Sequence, residues 1–410
     1  MRKTLPTYHS CAYSIAKSIA EFWQDYQKFW RVGNGFTTLV DYFALVEPKP
    51  KGISIANIVN HTLDVYDAHR SDTNLWYDDF SWMGVAFLQA KHFNSVLNID
   101  PDACWQRAQA CWSWMSTHAT KVWDNAKNNP TWKNAEPRFP GGCWNFDFSE
   151  DSLHPCDPLK GSGSGPFNVC GIQNTVTNAQ FLVLSIRCFL EKKTEEYQTL
   201  ARTAWKWFQN WSDTNVSDDD KLLAPPPMGE GLLIRERVST YAFRDGKYPS
   251  VLDYQKDFYW TGDQGIFLGA AVDMAQMDPD HASSYRKTAQ ALLQGVKIWM
   301  VDNQGQGKFL PPWAPDTKNV GGFSEDYSTG TGVFLRYLLS AFEYAFRNDP
   351  GLAQDIKTVY GPFLQGNADA ICQSIGKCQR WPENQQPDDQ ECLLNQLATL
   401  NAAINILKLD

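Results

Sequence analysis

Apolar residues return at the 3.6-residue spacing of an α-helix through nearly the whole chain, and this regularity restricts the fold more than any other feature. Roughly eleven or twelve helical segments follow from it, over 10–30, 54–68, 79–93, 101–126, 173–191, 194–211, 262–276, 279–301, 329–347, 351–375 and 389–407. They come in pairs. Segments 79–93, 173–191, 262–276 and 329–347 are apolar on most faces, as a helix enclosed on every side must be. The partner kind has a wet side, as in 101–126 with Gln106, Arg107, Gln109 and Lys121. Hairpins repeated in this way bury a shared core only when they stack or close on themselves, and about six pairs close a toroid. The expected fold is all-α: an (α/α)6 barrel of six helical hairpins, one domain over residues 1–410.

Strand-like alternation is scarce. LLIRERVS (232–239) carries the best of it, and with YAFRDGKYPSVLDY (241–254) it predicts one small β-hairpin. Three long connections, 127–172, 212–257 and 302–328, hold Trp132, Trp144, Tyr248, Tyr254 and Trp313, which is the composition of ordered, functional loops.

Several function classes are excluded early. A formal net charge of −9 and the lack of any Lys/Arg-rich run argue against nucleic acid, whose phosphates demand cations. No run of about 18 apolar residues is present, so no membrane span is expected. The basic N-terminus is broken by Ser14, Lys17 and Ser18 and reads as an amphipathic helix, not a signal peptide. Metal chemistry lacks its motifs: HExxH and CxxC are absent, Asp218–Asp220 lacks calcium-loop spacing, and His61 and His69 read as core or surface residues. No P-loop, nucleophile elbow or dinucleotide fingerprint occurs either, and no cofactor is expected.

Cys11, Cys104, Cys111 and Cys188 lie within apolar helical patterns and read as buried thiols. Cys143, Cys156 and Cys170 form one loop cluster and Cys372, Cys378 and Cys392 another, both suited to disulfides. With three N-x-S/T triplets, at Asn60, Asn210 and Asn215, they point to an extracellular or cell-wall protein. A monomer is expected.

The 17 Trp, 16 Tyr and 23 Phe point towards carbohydrate, because flat aromatic faces with a polar edge are natural platforms for sugar rings. Polar groups collect at the entrances of the apolar helices. In WYDDFSWMGVAFLQA (76–90), Asp78 and Asp79 stand between aromatics and an apolar run. Helix capping accounts for such acids without any function. The catalytic alternative is a glycosidase pair, whose carboxylates lie about 5 Å apart in a retaining enzyme, one attacking the anomeric carbon and the other protonating the leaving oxygen. Trp76, Tyr77 and Trp82 would desolvate the proton donor and raise its pKa. Asn174 and Asn178 share one face of the next apolar helix, where internal hydrogen bonding and ligand contact are equally good accounts. Asp263 and Gln264 open another, flanked by glycines that permit close approach.

Four segments in chain order resemble glycoside hydrolase family 76, the endo-α-1,6-mannanases. WYDDFSWMGVAFLQA is similar to the family's Asp-Asp-x-x-Trp helix entrance, and GGCW (141–144) followed by QNTVTNAQFLVL to its Gly-Gly-x-Trp segment and Asn-containing helix. FYWTGDQGIFLGAAV resembles its Thr-x-x-Gln-Gly helix start, and TGVFLRYL (331–338) its Gly-x-Phe-x-Arg-Tyr helix. The resemblance covers about 76–347 and implies an (α/α)6 barrel hydrolysing α-1,6-mannan with retention. It makes Asp78 the nucleophile and Asp79 the general acid/base, with Trp144, Asn174, Asp263 and Gln264 lining the groove. Gln173, Asn178 and Trp260 complete the expected substrate-binding set. Met83, Gln173, Gly262 and Asp263 depart from the family's pattern, and the 145–170 excursion is long for it. A transglycosidase working through the same covalent intermediate fits as well. A carbohydrate-binding protein on a spent scaffold is disfavoured by the presence of both acids.

Overall fold

The computed structural model describes residues 5–45, 50–73, 75–120, 139–145, 173–226, 229–236, 258–301, 310–314, 324–375 and 389–408. Among them are twelve helices of more than ten residues: α1 (Leu5–Phe22), α2 (Phe29–Leu45), α3 (Ile55–His69), α4 (Tyr77–His92), α5 (Pro101–Thr117), α6 (Thr175–Lys192), α7 (Glu195–Asn210), α8 (Thr261–Met277), α9 (Ala282–Gly295), α10 (Gly330–Asn348), α11 (Pro350–Gln373) and α12 (Asp389–Leu407).

The even-numbered helices form an inner ring. Each packs on the next, and α12 closes the circle against α2. The odd-numbered helices lie outside, each against the inner helix beside it, and α1 pairs with α12 to complete the sixth hairpin. The inner helices run in one direction. Gly33 faces the Met83 backbone and Asp41 meets Gln89, so α2 and α4 advance together. Asp78 and Thr177, then Gly84 and Leu184, do the same for α4 and α6, while Gly265 facing Phe334 and Gly269 facing Tyr337 match α8 with α10. Every inner helix therefore begins at the same end of the barrel.

Patterning explains the two rings. From Thr261 to Met277 every residue of α8 except Gln276 is buried, as apolar character on most faces requires of a helix with neighbours all round. Outer α7 buries only one stripe, including Tyr197, Ala201, Ala204, Trp205 and Phe208. The expected (α/α)6 architecture is thus present, with some changes of detail. The segment expected as one helix over 10–30 is broken by a 3-10 turn at Trp23–Asp25, and α2, absent from the expectations, begins at Phe29. Helix α5 stops at Thr117 instead of running to 126. The strand near 232 exists as Leu233–Ile234, but it pairs antiparallel with upstream Leu223–Ala224. Its expected partner, 241–254, lies outside the described residues.

The cysteine expectations need correction. Cys11 is not a thiol: it bonds Cys372, tying α1 to α11. Cys392 is also disulfide-bonded. Cys143, expected in a disulfide, is a free thiol, as are Cys104, Cys111 and Cys188, and all four are buried. Cys156, Cys170 and Cys378 lie outside the described residues.

Candidate active site

The common end of the inner helices gathers the polar residues that precede each apolar run. Helix α4 starts after Trp76, an extended residue whose side chain makes no capping hydrogen bond. Asp78 and Asp79 occupy the first turn. Asp79 is buried, at 4% exposure, while Asp78 keeps partial contact with solvent. Asp78 Oδ1 accepts a hydrogen bond of 3.1 Å from Thr177 Oγ1, across the gap to α6.

Both carboxyls titrate above their ordinary range. Burial pushes Asp78 up to about 6, against hydrogen bonds from Thr177, the helix backbone and Trp82 that favour its charged form, with a further push from the charge of Asp326. Burial also raises Asp79, well beyond the carboxylate range, and the neighbouring charges of Asp78, Asp326 and Asp72 add to it.

The surroundings are aromatic and hydrogen-bonded. Trp82 is buried and meets Trp30 with ring centroids 5.8 Å apart, and Tyr77 is buried at the helix start with its N–H on the Asn145 carbonyl. The GGCW turn leads into this end of the barrel. Gly141 has φ +93°, and a Cβ on Gly142 would lie 2.2 Å from Trp207 Nε1, so both glycines are required. Trp144 is buried behind them, its N–H bonded to the Ala119 carbonyl.

The expected amides divide into two kinds. Gln264 accepts from the Ile234 N–H and donates to the Ile234 and Trp260 carbonyls, which clamps strand 233–234 to the start of α8. Asn178 likewise bridges the Cys143 N–H, the Cys143 carbonyl and the Asn174 carbonyl. Gln173 accepts from the Trp207 indole at 3.3 Å. These three hold the frame. Asn174, the residue before α6, is different: its Oδ1 is buried with no hydrogen-bond partner among the described residues. Asp263 is fully buried in the first turn of α8. The Trp260 indole donates to the Tyr327 carbonyl, and the two rings meet at 5.6 Å.

Five residues outside the sequence-based set complete the end of the barrel. Thr177 is one. Asp326 and Tyr327 belong to a short helical turn, Ser324–Tyr327, ahead of α10. Arg31, buried in the first turns of α2, holds that turn in place by an ion pair of 2.9 Å with Asp326. Tyr327 Oη donates to Oε1 of buried Glu236 at 3.1 Å, and the Glu236 carbonyl accepts the Thr175 N–H. Asp326 and Tyr327 were visible as polar residues ahead of an apolar helix, the same sign that marked Asp78 and Asp79. Arg31 lay in the helix that periodicity missed.

No family model matches the sequence, and no curated protein matches it. Solved structures do. Dfg5 from Chaetomium thermophilum, in complex with glucosamine, superposes with a TM-score of 0.64 at 12% identity, covering 100% of this chain and 93% of that one. The Lin0763 protein of Listeria innocua gives 0.63 at 12% identity, covering 98% of both chains. An inactive variant of the α-1,6-mannanase GH76A of Salegentibacter sp. HEL1_6, with two adjacent aspartates changed to asparagine and α-1,6-mannotriose bound, gives 0.58 at 13% identity, covering 95% and 99%. Across nearly its full length, the chain carries the helical-barrel fold of the glycoside hydrolase family 76 structures.

Proposed function

We propose that the protein is a retaining α-glycosidase acting within mannan-type glycans, with α-1,6-mannan as the substrate of first choice. The observation that carries this reading is the unequal pair: adjacent aspartates at the helix-entrance end of the barrel, Asp79 enclosed and Asp78 part-exposed and hydrogen-bonded by Thr177, both raised by burial. The similar mannanase whose inactive variant lacks two adjacent aspartates, in complex with α-1,6-mannotriose, supports it.

In the first step Asp78 attacks the anomeric carbon while Asp79 gives its proton to the departing glycosidic oxygen, leaving a glycosyl ester on Asp78. In the second, Asp79, now a carboxylate, takes a proton from water. The resulting hydroxide attacks the same carbon and releases Asp78, so two inversions yield net retention. Asn174, Trp76 and Trp82 are assigned to substrate binding, and fully buried Asp263 to the support of that end of the barrel. Tyr77, Trp144, Gln173, Asn178, Trp260 and Gln264 are assigned to supporting that surface. The disulfides suit an extracellular or cell-wall setting.

The test is incubation with α-1,6-linked manno-oligosaccharides, following the configuration of the new reducing end by NMR. Retention, lost in both Asp78→Asn and Asp79→Asn, is the expected result. Inversion, or full activity in Asp78→Asn, would overturn the assignment. Product analysis with an added acceptor sugar separates hydrolysis from transfer.

A further inference from the structure

We propose that Asn215 is an acceptor for an N-linked oligosaccharide. Three triplets have the required form, and the fold treats them differently. Asn60 lies within α3, and the hydroxyl of its triplet, on Thr62, is fully buried and donates to the Ile58 carbonyl. Asn210 is the last residue of α7. The Trp211 that follows it is fully buried against Phe139 and Trp207, and Ser212 Oγ is engaged by the Phe208 carbonyl and the Leu223 N–H.

Asn215 is unlike both. It and Ser217 are exposed in a turn outside any helix, while the middle residue, Val216, is buried and pins the turn to the body. Asn215 Nδ2 donates to Asp213 Oδ1 at 2.8 Å and Ser217 Oγ to Asp220 Oδ2 at 2.9 Å, both surface bonds that water replaces at little cost. A glycan here needs no rearrangement of the fold, and the acceptor is reachable before or after folding. The disulfides at Cys11–Cys372 and at Cys392 place folding in an oxidising compartment, the kind in which such transfer takes place. In the transfer, the Asn215 amide nitrogen attacks C1 of a lipid-pyrophosphate-linked oligosaccharide. The C1–O bond to pyrophosphate breaks, the lipid pyrophosphate leaves, and one amide proton is released.

The full chain would be secreted from a eukaryotic host, treated with peptide N-glycosidase in 18O water, and mapped by mass spectrometry. Asn215 should be converted to 18O-labelled aspartate, with loss of that label and of one glycan's mass in Asn215→Gln and Ser217→Ala. Ser217→Thr, which retains the acceptor pattern, should keep it. Absence of label at Asn215 when Asn60 or Asn210 is labelled, or when a co-secreted control glycoprotein is, would overturn the proposal. So would a glycan that persists in Ser217→Ala.

Discussion

Replacing Thr177 by valine tests the split between the two acids at its most accessible point. The hydroxyl is buried and its bond to Asp78 Oδ1 spans 3.1 Å. Valine keeps the shape and removes the donor. A hydrogen bond to a charged group contributes about 1.5–3 kcal/mol, against about 0.5–1.5 for a neutral pair, so the loss falls mainly on the ionised form. A difference of about 1.4 kcal/mol corresponds to one pH unit. Removing an interaction that lowers the Asp78 titration raises it, from about 6 to about 7. Less of the enzyme then carries the nucleophile at any mildly acidic pH. The assay is kcat/KM against pH on an activated aryl α-mannoside, whose acid limb reports the free enzyme's essential base. The limb should move up by about one unit in Thr177→Val and stay in place in Thr177→Ser. An unmoved limb in the valine variant, or equal shifts in both, would refute the reasoning.

Asp79→Asn removes the proton donor, so turnover of unactivated mannosidic linkages should fall by about 100- to 10,000-fold and the alkaline limb should vanish; initial rates from pH 5 to 9 check both. Asp326→Asn removes a charge that raises both acids, so both limbs of the same profile should move to lower pH. Asp41, buried at the far end of α2 beside Gln89, is raised to about 7 by burial and by Glu343. A carboxyl raised on folding destabilises increasingly as pH climbs from its ordinary value towards the folded one. Asp41→Asn should therefore be neutral near pH 4 and raise Tm at pH 8, through a gain on the order of 4 kcal/mol, as thermal melts across that range will read. Cys372→Ser opens the bond between α1 and α11 and should lower stability by about 2–4 kcal/mol in denaturant titration.

Inner helices α4, α6, α8 and α10 were legible because their neighbours enclose them and the sequence is apolar on every face. Helix α2 was not, for a physical reason. It buries Arg31, Asn34, Thr38 and Asp41 among its apolar residues, and it carries Gly33 and Gly35. A Cβ on Gly33 would stand 3.0 Å from the Met83 N, so close packing dictates glycine where propensity disfavours it. The polar residues are likewise tertiary: Arg336 of α10 bonds Asn34 and Thr38, and Arg31 reaches Asp326. No local pattern records such partners. The Cys11–Cys372 bond escaped for the same reason, since the two are 361 residues apart and meet only because the ring closes. At the site, adjacency in sequence made the acid pair conspicuous, whereas Thr177 and Glu236 matter through contacts between elements.

Helix capping, the strongest competing account of Asp78 and Asp79, predicts the opposite sign of shift from the one that burial imposes. A capping acid accepts N–H bonds at a helix start and gains about 0.3–1 kcal/mol from the macrodipole, so its titration falls. Neither acid occupies the cap position, which belongs to Trp76, and both titrations rise. Burial therefore outweighs the dipole at this helix start. Burial and like charges by themselves would raise both acids together and leave neither committed to a role. What separates them is asymmetric: Asp78 retains solvent contact and the Thr177 bond, while Asp79 is enclosed and bears the full effect of its neighbour's charge. The Thr177 bond comes from the packing of α4 against α6, where Gly84 lies against Leu184. An enclosed carboxyl beside a part-exposed one that accepts the Thr177 bond is the asymmetry that the proposed double displacement would use, and one for which a capping role has no need.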